Sequence, residues 1–198
     1  MILPTSYFPN VEFFYYLYKD NHILIGTNEL FPKQTYRNRC TILNANGKQD
    51  LTVPVERDSK TLTSVARISY AEDWQKNHLR SIESAYRRSP FYDYYFEQIE
   101  NILCKKHDLL VDLNFELIQF FVEKIGLSCE LELSYEAELR NEMLNFINPK
   151  LPTRFVAANY MQTFSDRFEF ENNLSVLDLL FNEGPNSISI LQESSLSE

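Results

Sequence analysis

Apolar residues along the chain form short runs and helical stripes, which predict a mixture of strands and helices. The first strand is predicted within residues 1–9, where an apolar start gives way to a loop and Pro9 disfavours helix. Val11–Lys19 is a dense aromatic run that we interpret as a buried helix capped by Asn10. His22–Gly26 is rich in aliphatic residues, as is typical of a buried strand.

A β-hairpin is the most specific local prediction. Asn46 and Gly47 lie between two strand-like segments, residues 39–43 and 50–55, and an Asn-Gly pair suits the positive φ angles of a tight hairpin turn. Pro54 places the second strand at an edge or near its end, because proline has no N–H to donate. One more short strand is predicted over residues 65–69.

Three helices are predicted in the middle of the chain. Residues 74–89 carry an apolar stripe with a polar opposite face, and residues 91–106 form a second, aromatic-rich segment. A third helix is predicted to begin after a cap at Asp112 or Asn114, to run to Lys124 and to stop at Gly126.

The last third of the chain gives weaker signals. Residues 127–134 alternate as a half-buried strand, and residues 135–162 are expected to be a long irregular connection. Ser175 and Asp178 have the spacing of a capping box at the start of another helix, which explains Asp178 without catalysis. The Ser-rich end is expected to fray.

These elements predict a mixed fold of the α/β or α+β class. We expect a single domain over residues 1–185, with a central sheet, a hairpin and flanking helices, followed by a Ser-rich tail over residues 186–198. The strand order stays open.

Composition then excludes several kinds of protein. The 198 residues contain four widely spaced glycines, so the glycine-rich loops that cradle phosphates are absent. The net charge of −9 argues against binding to nucleic acid, and no long apolar run predicts a membrane span. Three separated cysteines and the lack of a signal segment favour the cytoplasm.

Arg37, Asn38 and Arg39 form the first candidate site. On an extended segment the two arginines point to the same face, and guanidinium groups bind phosphate or carboxylate in a bidentate manner. The alternative is a solvated strand edge whose arginines pair with some of the many carboxylates.

Other candidates depend on what surrounds them. His78 lies in the apolar stripe of its helix, so it is either a core histidine or a general base facing a pocket. Ser6 follows the first strand, where ligand sites often lie, and Cys40 is either a nucleophile or a small strand residue. The histidines are too isolated to predict a metal site, and no cofactor is indicated.

Several separated blocks resemble the WbqC-like family. They include Leu-Pro-Thr-Ser-Tyr-Phe-Pro-Asn at the start, Gln-Thr-Tyr-Arg-Asn-Arg-Cys over residues 34–40, and the hairpin with Leu-Thr-Val-Pro-Val. The helix with Trp74, His78 and Tyr86 is similar too, and the ending through Gly184 and Pro185 looks like the form from Bacteroidetes-type bacteria.

The resemblance covers most of the chain, from about Leu3 to Pro185. It implies a cytoplasmic enzyme or accessory protein associated with clusters for O-antigen and other surface polysaccharides. Many members begin with Gln-Pro-x-Tyr, whereas Leu3 precedes Pro4 here. The residues that match the family motifs are Pro4, Tyr7, Pro9, Arg37, Asn38, Arg39, His78 and Tyr86.

The leading hypothesis is an enzyme that modifies a nucleotide-linked sugar by group transfer. Arg37 and Arg39 would bind the anionic phosphates, His78 would be the general base, and Tyr7, Asn38 and Tyr86 would line the site. A non-catalytic partner protein in polysaccharide assembly is the alternative. A third hypothesis, acyl transfer, requires His78 to reach Cys40 or Ser6. The oligomeric state is left open.

Overall fold

The computed structural model describes residues 1–31, 35–56, 61–137, 139, 148–149 and 151–197, and confirms a mixed α/β single domain. At its centre lies a three-stranded parallel sheet in the order β1 (Ile2–Pro4), β2 (His22–Gly26), β7 (Glu130–Ser134). The register aligns Pro4 with Gly26 and Gly26 with Ser134. The carboxyl ends of the three strands therefore share one edge of the sheet.

The predicted hairpin is present. Strands β3 (Arg39–Asn44) and β4 (Gly47–Thr52) pair antiparallel, and Asn44 pairs with Gly47, whose φ of 109° suits glycine. The second strand was predicted to continue to residue 55, but Pro54 interrupts it. A separate strand, β5 (Val55–Glu56), pairs with β6 (Arg67–Ile68).

The three middle helices are α2 (Trp74–Tyr86), α3 (Tyr92–Cys104) and α4 (Leu110–Ile125). Gly126 ends α4 with a φ of 81°, as predicted. The predicted start of α4 at Asp112 or Asn114 is wrong. The helix begins one turn earlier, and Asn114 is buried, with its side-chain amide donating to Thr5 Oγ1.

The end of the chain differs from the prediction. Helix α5 (Val176–Glu183) is followed by α6 (Ser187–Glu193), and β9 (Ser195–Leu196) pairs with β8 (Phe155–Val156). The expected fraying is wrong because Ile190 and Leu191 are buried in the common core. The predicted irregular connection contains β8, and its residues 138, 140–147 and 150 lie outside the described part.

Helix α1 (Val11–Lys19) and the residues just before it pack against α4 through aromatic side chains. Phe121 of α4 makes edge contacts with Phe8 and Phe14, with ring centroids 6.0 and 5.9 Å apart. Asn10 caps α1 by accepting from the Phe13 amide, as the sequence predicts. Within the described residues, no helix combines the length and apolar character needed to cross a membrane.

Candidate functional site

Tyr7 and His78 form a buried hydrogen-bonded pair. The Tyr7 hydroxyl lies 2.8 Å from Nδ1 of His78, and a hydrogen bond also links the histidine ring to the Thr52 carbonyl. Burial lowers the pKa of His78 to about 4, so its ring is neutral at pH 7. A neutral imidazole has one donor and one acceptor nitrogen, and both are used here.

The segment that carries the predicted arginines packs directly on this pair. The Tyr36 carbonyl accepts hydrogen bonds from the Tyr7 amide and from Ser6 Oγ, both at 2.9 Å. Asn38 exchanges two hydrogen bonds with Val53, the residue after Thr52. Tyr7, Asn38 and His78 thus belong to one closed set of contacts, which we call the Tyr7–His78 network.

Arg37 extends the network towards the carboxyl edge of the sheet. Its side chain is fully buried, and Nε donates to Oε1 of Glu29 at 2.6 Å, while Asn114 donates to the Arg37 carbonyl. Among the described residues, Nη1 and Nη2 have no hydrogen-bond partner, although Nη2 lies 2.6 Å from the same Glu29 oxygen. Burial lowers the pKa of Arg37.

Arg37 and Arg39 do not act as a matched pair. Arg37 lies in a turn, so the extended segment expected there is absent. Arg39 begins β3 and pairs with Oδ2 of Asp50 at 3.3 Å on the hairpin. The two guanidinium groups therefore bind different carboxylates, one buried and one near the surface.

Tyr86 lies in a different part of the core. Its ring packs on Phe181 of α5 with centroids 5.2 Å apart, and burial, reinforced by the charge of nearby Asp178, holds the pKa of Tyr86 well above its usual range. The structure therefore does not join Tyr86 to Tyr7 and His78 through the contacts of the network.

The capping-box explanation of Asp178 is wrong. Ser175 accepts from the amide of Leu177, and the Asp178 carboxylate points inward, accepting from the Tyr160 hydroxyl at 2.8 Å and from Gln162 Nε2 at 3.0 Å. Burial raises the pKa of Asp178 to about 6. The spacing of residues alone did not reveal these two partners, which come from a segment that was predicted to be irregular.

The condition for acyl transfer is not met in the described structure. Ser6 Oγ donates to a backbone carbonyl, and the hydrogen bonds described for the His78 ring go to Tyr7 and Thr52. Burial raises the pKa of the Cys40 thiol, which is the opposite of what an activated nucleophile needs.

An open cleft of about 930 Å³ is lined in part by Tyr36. We call it the α1 cleft, because the start of α1 forms one wall, while the hairpin and two later segments form the others. Its lining consists of Asn10, Glu12, Tyr16, Tyr36, Thr41, Lys48, Asp50, residues 148–149, residues 151–154 and residues 172–174.

Glu12 is the most unusual group in the α1 cleft. The residue is only 6% exposed, and its carboxylate accepts from Thr153 Oγ1 at 2.6 Å and from Asn173 Nδ2 at 2.8 Å. Asn173 also accepts from the Glu12 amide, and it adopts a φ of 60°, uncommon for a residue with a side chain. Burial raises the pKa of Glu12 even though both hydrogen bonds lower it.

Acidic and basic side chains both line the α1 cleft. Lys48 pairs with Glu171 at 2.5 Å, and Arg154 donates from Nε to the Ser197 carbonyl. Burial, and then the charge of Glu12, raise the pKa of Tyr16, whereas Arg154 lowers it. These couplings place the Glu12 carboxylate, a phenol and a guanidinium around one space.

None of the six predicted site residues lines the α1 cleft, but two adjoin it. Tyr36 neighbours Arg37 in sequence, and Asp50 of the lining holds Arg39. Glu12 could have been noticed in the sequence as a lone carboxylate in an aromatic helix, where charged residues are rarely buried. Thr153, Arg154 and Asn173 carry no such signal. The described residues include no group of three or more potential metal-ligand side chains.

Comparisons with known proteins give a family and one distant relative. The WbqC-like protein family matches residues 5–152, which include Glu12, Tyr36, Lys48 and Asp50. An uncharacterized protein of Mycobacterium tuberculosis, Rv1507c, is 24% identical over 214 residues, covering 92% of this chain and 93% of its own length. No solved structure matches.

Proposed function

Because the chain belongs to the WbqC-like protein family, we propose that it is an enzyme of surface-polysaccharide biosynthesis that modifies a nucleotide-linked sugar by group transfer. The substrate would bind in the α1 cleft. The family's association with polysaccharide clusters supports the substrate class. The observation that carries the proposal is the buried carboxyl group of Glu12, held by Thr153 and Asn173 in the wall of an open cleft.

The size and chemistry of the cleft fit this ligand. Small-molecule sites typically enclose about 300–1,000 Å³, and the α1 cleft measures about 930 Å³. Carboxylates, amides and hydroxyls suit the many donors and acceptors of a sugar. Lys48 and Arg154 supply positive charge for phosphate groups, and the Tyr16 and Tyr36 rings offer surfaces for a base or sugar.

Glu12 is the proposed general base. A sugar hydroxyl would give its proton to Glu12 as its oxygen forms the new bond to the transferred group. A carboxyl whose pKa is raised is a better proton acceptor than an ordinary glutamate. At the same time the bond between the transferred group and the rest of the activated donor breaks, and the rest of the donor leaves with the electron pair of that bond.

The residues predicted from the family motifs take a supporting role in this proposal. Tyr7, Asn38 and His78 fix the backbone of the segment that presents Tyr36 to the cleft. Arg39 holds Asp50 in the cleft wall, and Arg37 neutralises Glu29 inside the protein. His78 is then a positioning residue, because its two nitrogens are already engaged.

The test is a titration with a panel of nucleoside-diphosphate sugars, followed by incubation with a small-molecule extract of bacterial cells as the donor source. We expect Lys48→Ala with Arg154→Ala to weaken binding by roughly tenfold or more. Glu12→Gln should keep the ligand but lower turnover roughly 10²–10⁴-fold, measured by mass spectrometry.

Glu97→Gln is the matched control, because Glu97 is an exposed carboxylate of α3 outside the cleft. It should leave binding and turnover unchanged. The proposal fails if no member of the panel binds, which would favour a non-catalytic partner protein. It also fails if the cleft variants bind and react like the unaltered chain.

A further inference from the structure

Four arginines meet in a second cleft, of about 620 Å³, which shares no lining residue with the α1 cleft. Helix α2, the hairpin turn and the segment after Gln162 form its walls. We call it the arginine cleft. Its lining consists of Arg80, Arg87, Arg88, Arg167, Ala45, Glu83, Ser84, Ala85, Thr163 and Phe164.

The sequence spacing explains how the arginines converge. Arg80 and Ser84 lie one turn apart on α2, and Arg87 and Arg88 lie in the turn that directly follows the last residue of this helix, Tyr86. Arg167 approaches from the turn that follows Phe164. These four are among only ten arginines in a chain of net charge −9. Their proximity is therefore not a reflection of an overall basic composition.

The positive charge of the arginine cleft is poorly compensated. Glu83 is the one carboxylate of the lining, so the formal charge of the lining side chains is +3. Arg87 lies 3.4 Å from Glu83, and Arg167 lies 3.8 Å from Asp166 at the surface. Within the described ranges, Arg80 and Arg88 have no carboxylate within ion-pair distance. Guanidinium groups placed together without carboxylates repel one another unless an anion binds.

We propose that the arginine cleft binds a diphosphate group, carried by a nucleoside diphosphate. Several guanidinium groups suit the oxygens of two adjacent phosphates, because each group can donate two parallel hydrogen bonds. Phe164 adds an aromatic face in the same wall, on which a base can stack. Thr163 is already committed to Asn182, so Ser84 is the hydroxyl available to the ligand.

This site is independent of the proposed function. The α1 cleft has a buried carboxylate for chemistry, whereas the four arginines of the arginine cleft are exposed and its one carboxylate, Glu83, is not buried. It therefore binds an anion without reacting with it.

The experiment titrates inorganic pyrophosphate and ADP into the full chain by calorimetry. Arg80→Ala with Arg88→Ala should weaken both ligands roughly tenfold or more, and Phe164→Ala should remove the advantage of ADP over pyrophosphate. Lys76→Ala is the matched control, because Lys76 is an exposed cation of the same helix outside the arginine cleft. It should bind both ligands like the unaltered chain.

The proposal is overturned if pyrophosphate and ADP do not bind, or if the double variant binds them unchanged. Binding to phosphatidylcholine vesicles containing phosphatidic acid, without binding of ADP, would assign the arginines to a lipid surface and also overturn it. The double variant should still bind nucleoside-diphosphate sugars through the α1 cleft, and Glu12→Gln should still bind pyrophosphate. These variants therefore show separately whether the proposal for the α1 cleft or the proposal for the arginine cleft is wrong.

Discussion

The Tyr7–His78 network and the α1 cleft both contact Tyr36, and they differ in burial and in the space open to a ligand. In the network, Tyr7 and His78 are buried, Asn38 is half-buried, and the ring nitrogens of His78 both have partners. In the cleft, polar side chains surround an open volume, and one of them is a carboxyl group with a raised pKa.

This difference separates residues that hold a shape from residues that meet a ligand. Asn38 and His78 have side chains that could take part in chemistry. The Asn38 amide donates to the Val53 carbonyl, and the His78 ring bonds to the Tyr7 hydroxyl and the Thr52 carbonyl. Glu12 is less conspicuous in the sequence, but later segments of the chain enclose it and leave space in front of it. Room for a substrate is thus a tertiary property that a motif does not reveal.

Removing Arg37 should have the largest effect on stability. Arg37→Ala leaves Glu29 without its cation in the interior, and we expect the free energy of unfolding to fall by about 3–5 kcal/mol. Arg39→Ala removes a pair whose aspartate is 48% exposed, and it should cost about 1 kcal/mol or less. Urea unfolding of the two variants measures both values.

A charge-free double variant at the Arg37–Glu29 pair distinguishes the predicted arginine site from the α1 cleft. Adding Glu29→Gln to Arg37→Gln should recover part of the lost stability, because no unpaired charge is then left inside. If that double variant folds normally but no longer binds nucleoside-diphosphate sugars, the predicted arginine site, and not the α1 cleft, holds the phosphates.

The pH dependence of the free energy of unfolding tests whether His78 is buried in the network and shielded from solvent. His78 has a folded pKa of about 4, below its ordinary value of 6.5, so its contribution is complete above pH 6.5 and is lost as the pH falls towards 4. Asp178 has a folded pKa of about 6, above its ordinary value of 3.8, so its contribution is complete in acid and is lost as the pH rises towards 6. Each effect is about 3 kcal/mol, and the two oppose each other.

Single variants separate these opposing slopes. With His78→Gln, the free energy of unfolding should fall less on acidification from pH 6 to 4 than in the unaltered chain, since the Asp178 effect stays while the His78 effect is removed. With Asp178→Asn, it should fall more steeply than in the unaltered chain. A His78 that faces an open site would titrate near its ordinary pKa, and then His78→Gln would leave the slope unchanged.

Local signals predicted the parts of the fold that neighbouring residues determine. Gly47 follows the hairpin turn with a φ of 109°, as glycine allows, although the positive φ expected of Asn46 is absent, and Gly126 ends α4 with a φ of 81°. The start of α4 and the helix at residues 187–193 were missed, because burial of their apolar residues against distant elements decides both. Propensity near a chain end carries no information about such packing.

The candidate site was predictable only at its border. The family motif pointed to the segment that contains Tyr36 and Arg39, which the structure places beside the α1 cleft. The expected common face of Arg37 and Arg39 failed because a turn sends Arg37 inward to Glu29. Asn173 reaches Glu12 from 161 residues away, and no sequence spacing predicts that contact.

A crystal structure with a bound nucleoside-diphosphate sugar tests the central claim most directly. We expect the sugar to lie in the α1 cleft, with a hydroxyl within hydrogen-bond distance of the Glu12 carboxylate and the phosphates near Lys48 and Arg154. A ligand bound against Arg37 and His78, with the α1 cleft empty, would contradict it.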